Sequence, residues 1–135
     1  MCPPFFDFLI IYYMFIFNFL KLATIFFLVD SLYLFSMKDK FNTLIKGIQG
    51  SSLKLKTIPT ILCYIFLVSS IYYFIIQKNA TILDAFFLGF FMYGVYETTN
   101  LAIFKNWTPF IALIDTIWGG ILFMTSVYIF NYFKH

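Results

Sequence analysis

The chain has 135 residues, enough for one domain, and 62% of them are hydrophobic against 11% charged, where soluble domains carry roughly 45–50% and 25%. A fold of this size exposes too large a share of its surface to hide that much apolar side chain from water, so a soluble globular domain is excluded and an integral membrane protein, with the lipid bilayer as solvent, is expected. The net charge of +3 comes from nine lysines and no arginine; with no basic stripe and no guanidinium forks, a nucleic-acid partner is not expected.

The first apolar stretch, 5–20, is broken only by Asp7 and Asn18 and is followed by Lys21. No basic region precedes it and no small-residue cleavage site follows, so it does not read as a secretory signal. Residues 1–14 form an apolar N-terminal extension with three readings. They are the start of one long tilted helix, or an extension ahead of a natural start at Met14, or a segment along the interface with its tyrosines at headgroup level. Nothing between Phe5 and Met37 looks like a turn, so no separate span is expected there.

Four helices long enough to cross a bilayer follow from the apolar runs. The first covers about 15–37. A polar connection over 38–56 contains Gly47, Gly50, Ser51 and Ser52; its second half is either a short amphipathic turn on the headgroups or a solvated loop. The second helix covers about 58–77, with Pro59 in its first turn, where a missing N–H does no harm. Lys78–Asn79–Ala80–Thr81 is a short turn. The third helix covers about 83–104. Lys105–Asn106–Trp107 turns the chain, Thr108 is an N-cap with Pro109 behind it, and the fourth helix covers about 109–132. The fold class is therefore all-α: an integral membrane four-helix bundle, one transmembrane domain.

Lys38, Lys40, Lys46, Lys54 and Lys56 all fall in the first connection and Lys105 in the third, whereas the second offers Lys78 and the C-terminus Lys134. The positive-inside rule then places the first and third connections in the cytoplasm and both termini outside.

The spans contain a polar constellation. Asp30 precedes Lys38 by eight residues and Glu97 precedes Lys105 by eight, so each lies about 12 Å inside the cytoplasmic boundary, and Asp115 lies about 9 Å beyond Pro109. Carboxylates at that depth cost about 2.5–3.5 kcal/mol on insertion scales and are normally paired, protonated or functional. On the third helix Gly89, Tyr93, Glu97 and Asn100 share a face by helical spacing, flanked by Tyr96, Thr98 and Thr99. On the fourth, Ala112, Asp115, Gly119 and Ser126 form a small-and-polar stripe that lets helices approach closely, with Trp118 one turn from Asp115. Asp30 and Tyr33 lie together on the first, and the second brings hydroxyls, among them Tyr64. These carboxylates either fasten helices through hydroxyl and amide partners, or line a cytoplasm-facing pocket for a cation, a proton or a polar headgroup. Trp107 reads as an interfacial anchor.

A metal site has little material: Cys2 and Cys63 lie far apart as two free thiols, and His135 is the lone histidine. No cofactor is expected.

The run Tyr96, Glu97, Thr99, Asn100, Leu101, Ala102, then Trp107, then Asp115, Trp118 and Gly119 resembles the signature of a family of small membrane proteins of bacteria and large DNA viruses, catalogued as domain of unknown function twenty-one seventy-seven. Asp30 and Tyr33 resemble its first-helix element, with tyrosine where tryptophan is usual. Glu97 stands where the family has aspartate, and the stretch before Leu20 has no counterpart. The resemblance implies four membrane helices and brings no activity with it.

Three functions fit these residues: a carrier, channel or binding module holding a cation, proton or small polar solute on Glu97, Asn100 and Asp115; a membrane-embedded enzyme on lipid with one carboxylate as base and its partner as acid; or a structural or assembly protein. Four helices enclose little space, so transport favours a homo-oligomer. The chain has no phosphate-cradling glycine loop and no His/Cys nucleophile pair. Binding or transport in a viral, host or bacterial inner membrane is preferred over catalysis.

Overall fold

The computed structural model describes residues 4–51 and 55–133, so Cys2, Ser52, Lys54, Lys134 and His135 lie outside the described residues. Those described form four helices and no strand: α1 (Pro4–Gln49), α2 (Thr57–Ile71, continued by a π-helical turn Tyr72–Ile76), α3 (Ile82–Ile103) and α4 (Pro109–Tyr132). The architecture is an all-α membrane bundle. By length and composition α1, α2 with its π-turn, and α4 suffice to cross a bilayer. At 22 residues, α3 is about 33 Å long and matches the same thickness. Tyr93, Tyr96, Glu97, Thr98, Thr99 and Asn100 lower its hydropathy, and of these Glu97 and Asn100 are buried.

Helix α1 extends the expected first span in both directions. Its 46 residues make about 69 Å, more than twice a 30 Å hydrocarbon core. The segment 38–49, expected as connection, is helical because Phe41, Leu44, Ile45 and Ile48 follow the i, i+3, i+4, i+7 pattern of an amphipathic helix. That stripe packs on Trp107, Ile111 and Ala112. The helix stops where Gly50 takes φ +77°, the left-handed C-terminal position that glycine occupies without a Cβ penalty. At the other end no proline or glycine interrupts 5–20, so the helix runs through it. Phe5, Phe6, Phe8, Ile11 and Tyr13 stay exposed.

Helices α1 and α4 run antiparallel. In the first half of α1, Lys21 donates to the Phe133 carbonyl just beyond α4; near the end of α1, Asn106 Nδ2 donates to the Gly47 carbonyl at 3.2 Å. Leu22 and Phe26 of α1, Val68, Ile71 and Ile75 of α2, Ala85 of α3, and Leu122, Phe123, Val127 and Phe130 of α4 form the main core.

The short turns behave as their residues dictate. Thr81 caps α3 in a reciprocal box with Asp84, at 3.1 and 3.0 Å, which satisfies two orphan donors. Thr108 Oγ1 accepts from Ile111 N, with Pro109 opening α4.

Close approach of α3 to α4 depends on glycine. A Cβ on Gly89 would stand 2.1 Å from the Gly119 carbonyl oxygen, and one on Gly119 would stand 2.3 Å from Tyr93 Cγ. Gly120 admits the Phe86 ring in the same way, at 2.6 Å. Small residues at a membrane helix contact permit this spacing, and it brings the polar face of α3 against Asp115.

Candidate functional site

Asp30, Glu97, Asn100 and Asp115 are all buried, Glu97 with no exposed surface. All four helices and the α3–α4 loop contribute to their surroundings. Asp30 on α1 accepts from the Tyr64 hydroxyl of α2 at 2.6 Å and from the Trp118 indole of α4 at 3.1 Å. Asp115 on α4 accepts from the Tyr33 hydroxyl of α1 at 3.1 Å. Glu97 on α3 accepts at Oε2 from the Trp107 indole, 2.6 Å away in the α3–α4 loop. Every one of these donors is neutral. A buried carboxyl without donors or counter-charge is costly in hydrocarbon, so each donor offsets part of that cost.

The α1 and α4 contributions are reciprocal. Asp30–Ser31–Leu32–Tyr33 and Asp115–Thr116–Ile117–Trp118 are the same pattern written twice: acid, hydroxyl, aliphatic, aromatic. Ser31 and Thr116 each turn their hydroxyl back to the carbonyl four residues earlier, at 2.7 Å in both cases. Each aromatic then serves the aspartate of the other helix. Acid and aromatic lie three positions apart, on one helical face, so two antiparallel copies exchange partners.

Glu97 and Asp115 are both buried, on α3 and α4 where the two helices pack closely. Glu97 Oε1 is buried and meets no donor. Ionised carboxylates only accept, so Asp115 satisfies that oxygen only with a proton between the two groups. Asn100 Nδ2 and the Ser126 hydroxyl are likewise buried without partners.

The remaining residues singled out in the sequence are placed as follows. Tyr93 is half-buried; it packs on Gly119 and meets the Phe123 ring edge-on. Tyr96 is exposed. Thr98 and Thr99 are exposed as well, their hydroxyls turned back to the Gly94 and Val95 carbonyls at 2.6 Å each. A helix turns 100° per residue, so a face that buries 93, 97 and 100 leaves 96, 98 and 99 pointing elsewhere. Trp118 is half-buried and sits within the site.

Trp107 departs from the interfacial anchor expected of it: it is buried beneath Phe41, Leu44 and Ile48 of α1 and donates to Glu97. The amphipathic stripe of 41–48 is the signal that could have indicated a covering helix. Among the described residues no three His, Cys, Asp or Glu side chains stand close enough to share a metal ion. Cys63 is an exposed free thiol.

One groove reaches this region from the side. Its volume is about 520 Å³, and it lies between α3 and α4, walled by Phe90, Phe91, Gly94, Leu101, Leu113 and Thr116, with Glu97 and Thr98 contributing.

A family model described as "Predicted membrane protein (DUF2177)" matches residues 15–130, a stretch that includes all the side chains of the acid network. Neither the curated proteins nor the solved structures contain a match.

Proposed function

The chain belongs to the DUF2177 family of predicted membrane proteins, and on that premise we propose that its Glu97–Asp115 pair binds one exchangeable proton inside the bilayer, making the protein a proton-binding or proton-moving membrane module. The observation that carries this reading is the burial of both acids where α3 and α4 pack closely, together with a Glu97 oxygen that meets no donor. Two like charges do not both persist in one low-dielectric site. A single proton held between them satisfies Oε1 and leaves one charge, spread over both groups and their Trp107 and Tyr33 donors.

Asp30 has a different part in this reading. Both of its oxygens already have donors, so it fastens α1 to α2 and α4 and helps hold Trp118 in place. Asn100, with its unpartnered Nδ2, is the nearest spare donor by sequence on the α3 polar face.

Infrared difference spectroscopy on the protein in lipid tests the proposal. A protonated-carboxyl carbonyl band should change with pH in the wild type and vanish in Glu97→Gln and Asp115→Asn, each of which should still insert. If the band is absent across the accessible pH range, or persists in both variants, the pair holds no exchangeable proton. A pH-sensitive dye inside proteoliposomes then reports whether binding is accompanied by transfer.

A further inference from the structure

Beyond the acid pair, we propose that the lateral α3–α4 groove is a binding site for a phospholipid of the leaflet on the α3–α4 loop side, one acyl chain in the groove and the phosphate at the lysines by the loop.

The groove has the right direction. Its α3 wall runs from Phe90 to Leu101 and its α4 wall from Pro109 to Thr116. It therefore extends along the helix axes for about 16 Å at 1.5 Å per residue, parallel to a lipid tail. The loop joining the helices, 104–108, closes one end, and the Phe90–Phe91 end lies deeper in the bilayer.

The wall chemistry suits a hydrocarbon chain. Thr98 and Thr116 direct their hydroxyls to the backbone at 2.6 and 2.7 Å, which leaves their methyl groups to the groove. Phe91, Val95 and Leu113 are exposed apolar side chains along it. Gly94 keeps it open: a Cβ there would meet only Thr116 Cγ2, at 3.5 Å.

Charge selects the headgroup. Lys105 is exposed in the closing loop, and Lys40 Nζ sits 5.4 Å over the ring of Phe110, next to Pro109 at the groove's end. Lysines at this level attract anionic phosphate. A second copy of the chain is the competing occupant, since Gly94–Thr98 and Ala112–Thr116 have the spacing of small residues at helix contacts. The lysines at the loop end of the groove and its apolar walls favour lipid.

The experiment uses the full chain in vesicles of phosphatidylcholine with phosphatidylglycerol, the latter carrying a diazirine at its acyl terminus. Irradiation should place most label on Phe90 and Phe91, and far less on Leu32, Phe35 and Phe66, which are exposed apolar residues elsewhere on the bundle. Gly94→Leu should abolish that label, while Gly94→Ala, with room for its methyl, should retain part of it. Lys105→Ala should lower retention of phosphatidylglycerol about fivefold relative to phosphatidylcholine, at roughly 1 kcal/mol per lysine. Even labelling of all five wild-type positions overturns the proposal without recourse to any variant. So does a dimer in native mass spectrometry whose formation shields the groove from label. Neither result bears on the Glu97 carbonyl band, so the two readings fail separately.

Discussion

Tyr33 and Trp118 stack face to face, ring centroids 4.5 Å apart and planes within 10°, while each donates to the aspartate of the other's helix. The stacked pair thus connects two acids that would otherwise repel, and it fixes the register of α1 against α4. Because both rings and both aspartates share one contact, their contributions should not add. Tyr33→Phe keeps the stack and removes one donor; Trp118→Phe removes the other donor and shrinks the stack. A double-mutant cycle on unfolding in bicelles should give a coupling energy of about 0.5–1.5 kcal/mol. Strict additivity would mean that the two helices are held elsewhere.

Glycine spacing decides whether α3 and α4 meet at all. Gly89→Ala would drive a methyl to 2.1 Å from the Gly119 backbone oxygen, and backbone cannot rotate aside as a side chain can. We expect a loss of about 3 kcal/mol or more, at the upper end of overpacking costs. Gly94→Ala, with its nearest neighbour at 3.5 Å, should change stability by under about 0.5 kcal/mol, or raise it slightly by restricting the unfolded chain. Thermal unfolding of both variants in one detergent compares the two sites directly.

Much of this arrangement was legible in the sequence. The alignment of Glu97 and Asn100 on one buried face of α3, and the stripe of Ala112, Asp115, Gly119 and Ser126 on α4, follow from helical spacing. The length of α1 was less legible, because Lys38, Asp39, Lys40 and Lys46 read as a connection when counted, whereas Phe41, Leu44, Ile45 and Ile48 read as a helix when spaced. The inward turn of Trp107 was hidden for the same reason: its cover is supplied by that unexpected stretch of α1. The exchange of donors between Asp30–Tyr33 and Asp115–Trp118 is present as a repeated four-residue pattern, but its meaning depends on the antiparallel contact, which spacing along one helix does not specify.

The Trp107 indole is the one donor to Glu97 in the hydrogen-bond geometry of the described residues. Trp107→Phe removes it and leaves the carboxyl buried, with an expected cost of roughly 1.5–3 kcal/mol, the range for hydrogen bonds to charged groups. Trp107→His, which retains a ring N–H, should recover part of that loss. Equal destabilisation by both would assign the effect to lost ring packing against Ile111 and Ala112 rather than to the hydrogen bond.

Cover for the site is testable through the same residue. Phe41, Leu44, Ile45 and Ile48 lie over Trp107 in a small cluster separate from the main core, so loosening the cover should open this region and leave the bundle intact. With Trp118→Phe as background, Trp107 is the remaining fluorophore of the two tryptophans. Its emission should be blue-shifted and resistant to acrylamide. Adding Leu44→Ser should red-shift it and raise the quenching constant severalfold, because removing a leucine side chain from that stripe weakens the cover by about 2–5 kcal/mol, on the scale of leucine-to-alanine losses. Since the α1–α4 fastening at Asp30 lies fourteen residues from Leu44 along α1, helical content should not change. A parallel loss of helicity would show that the C-terminal end of α1 is integral to the bundle rather than a cover upon it.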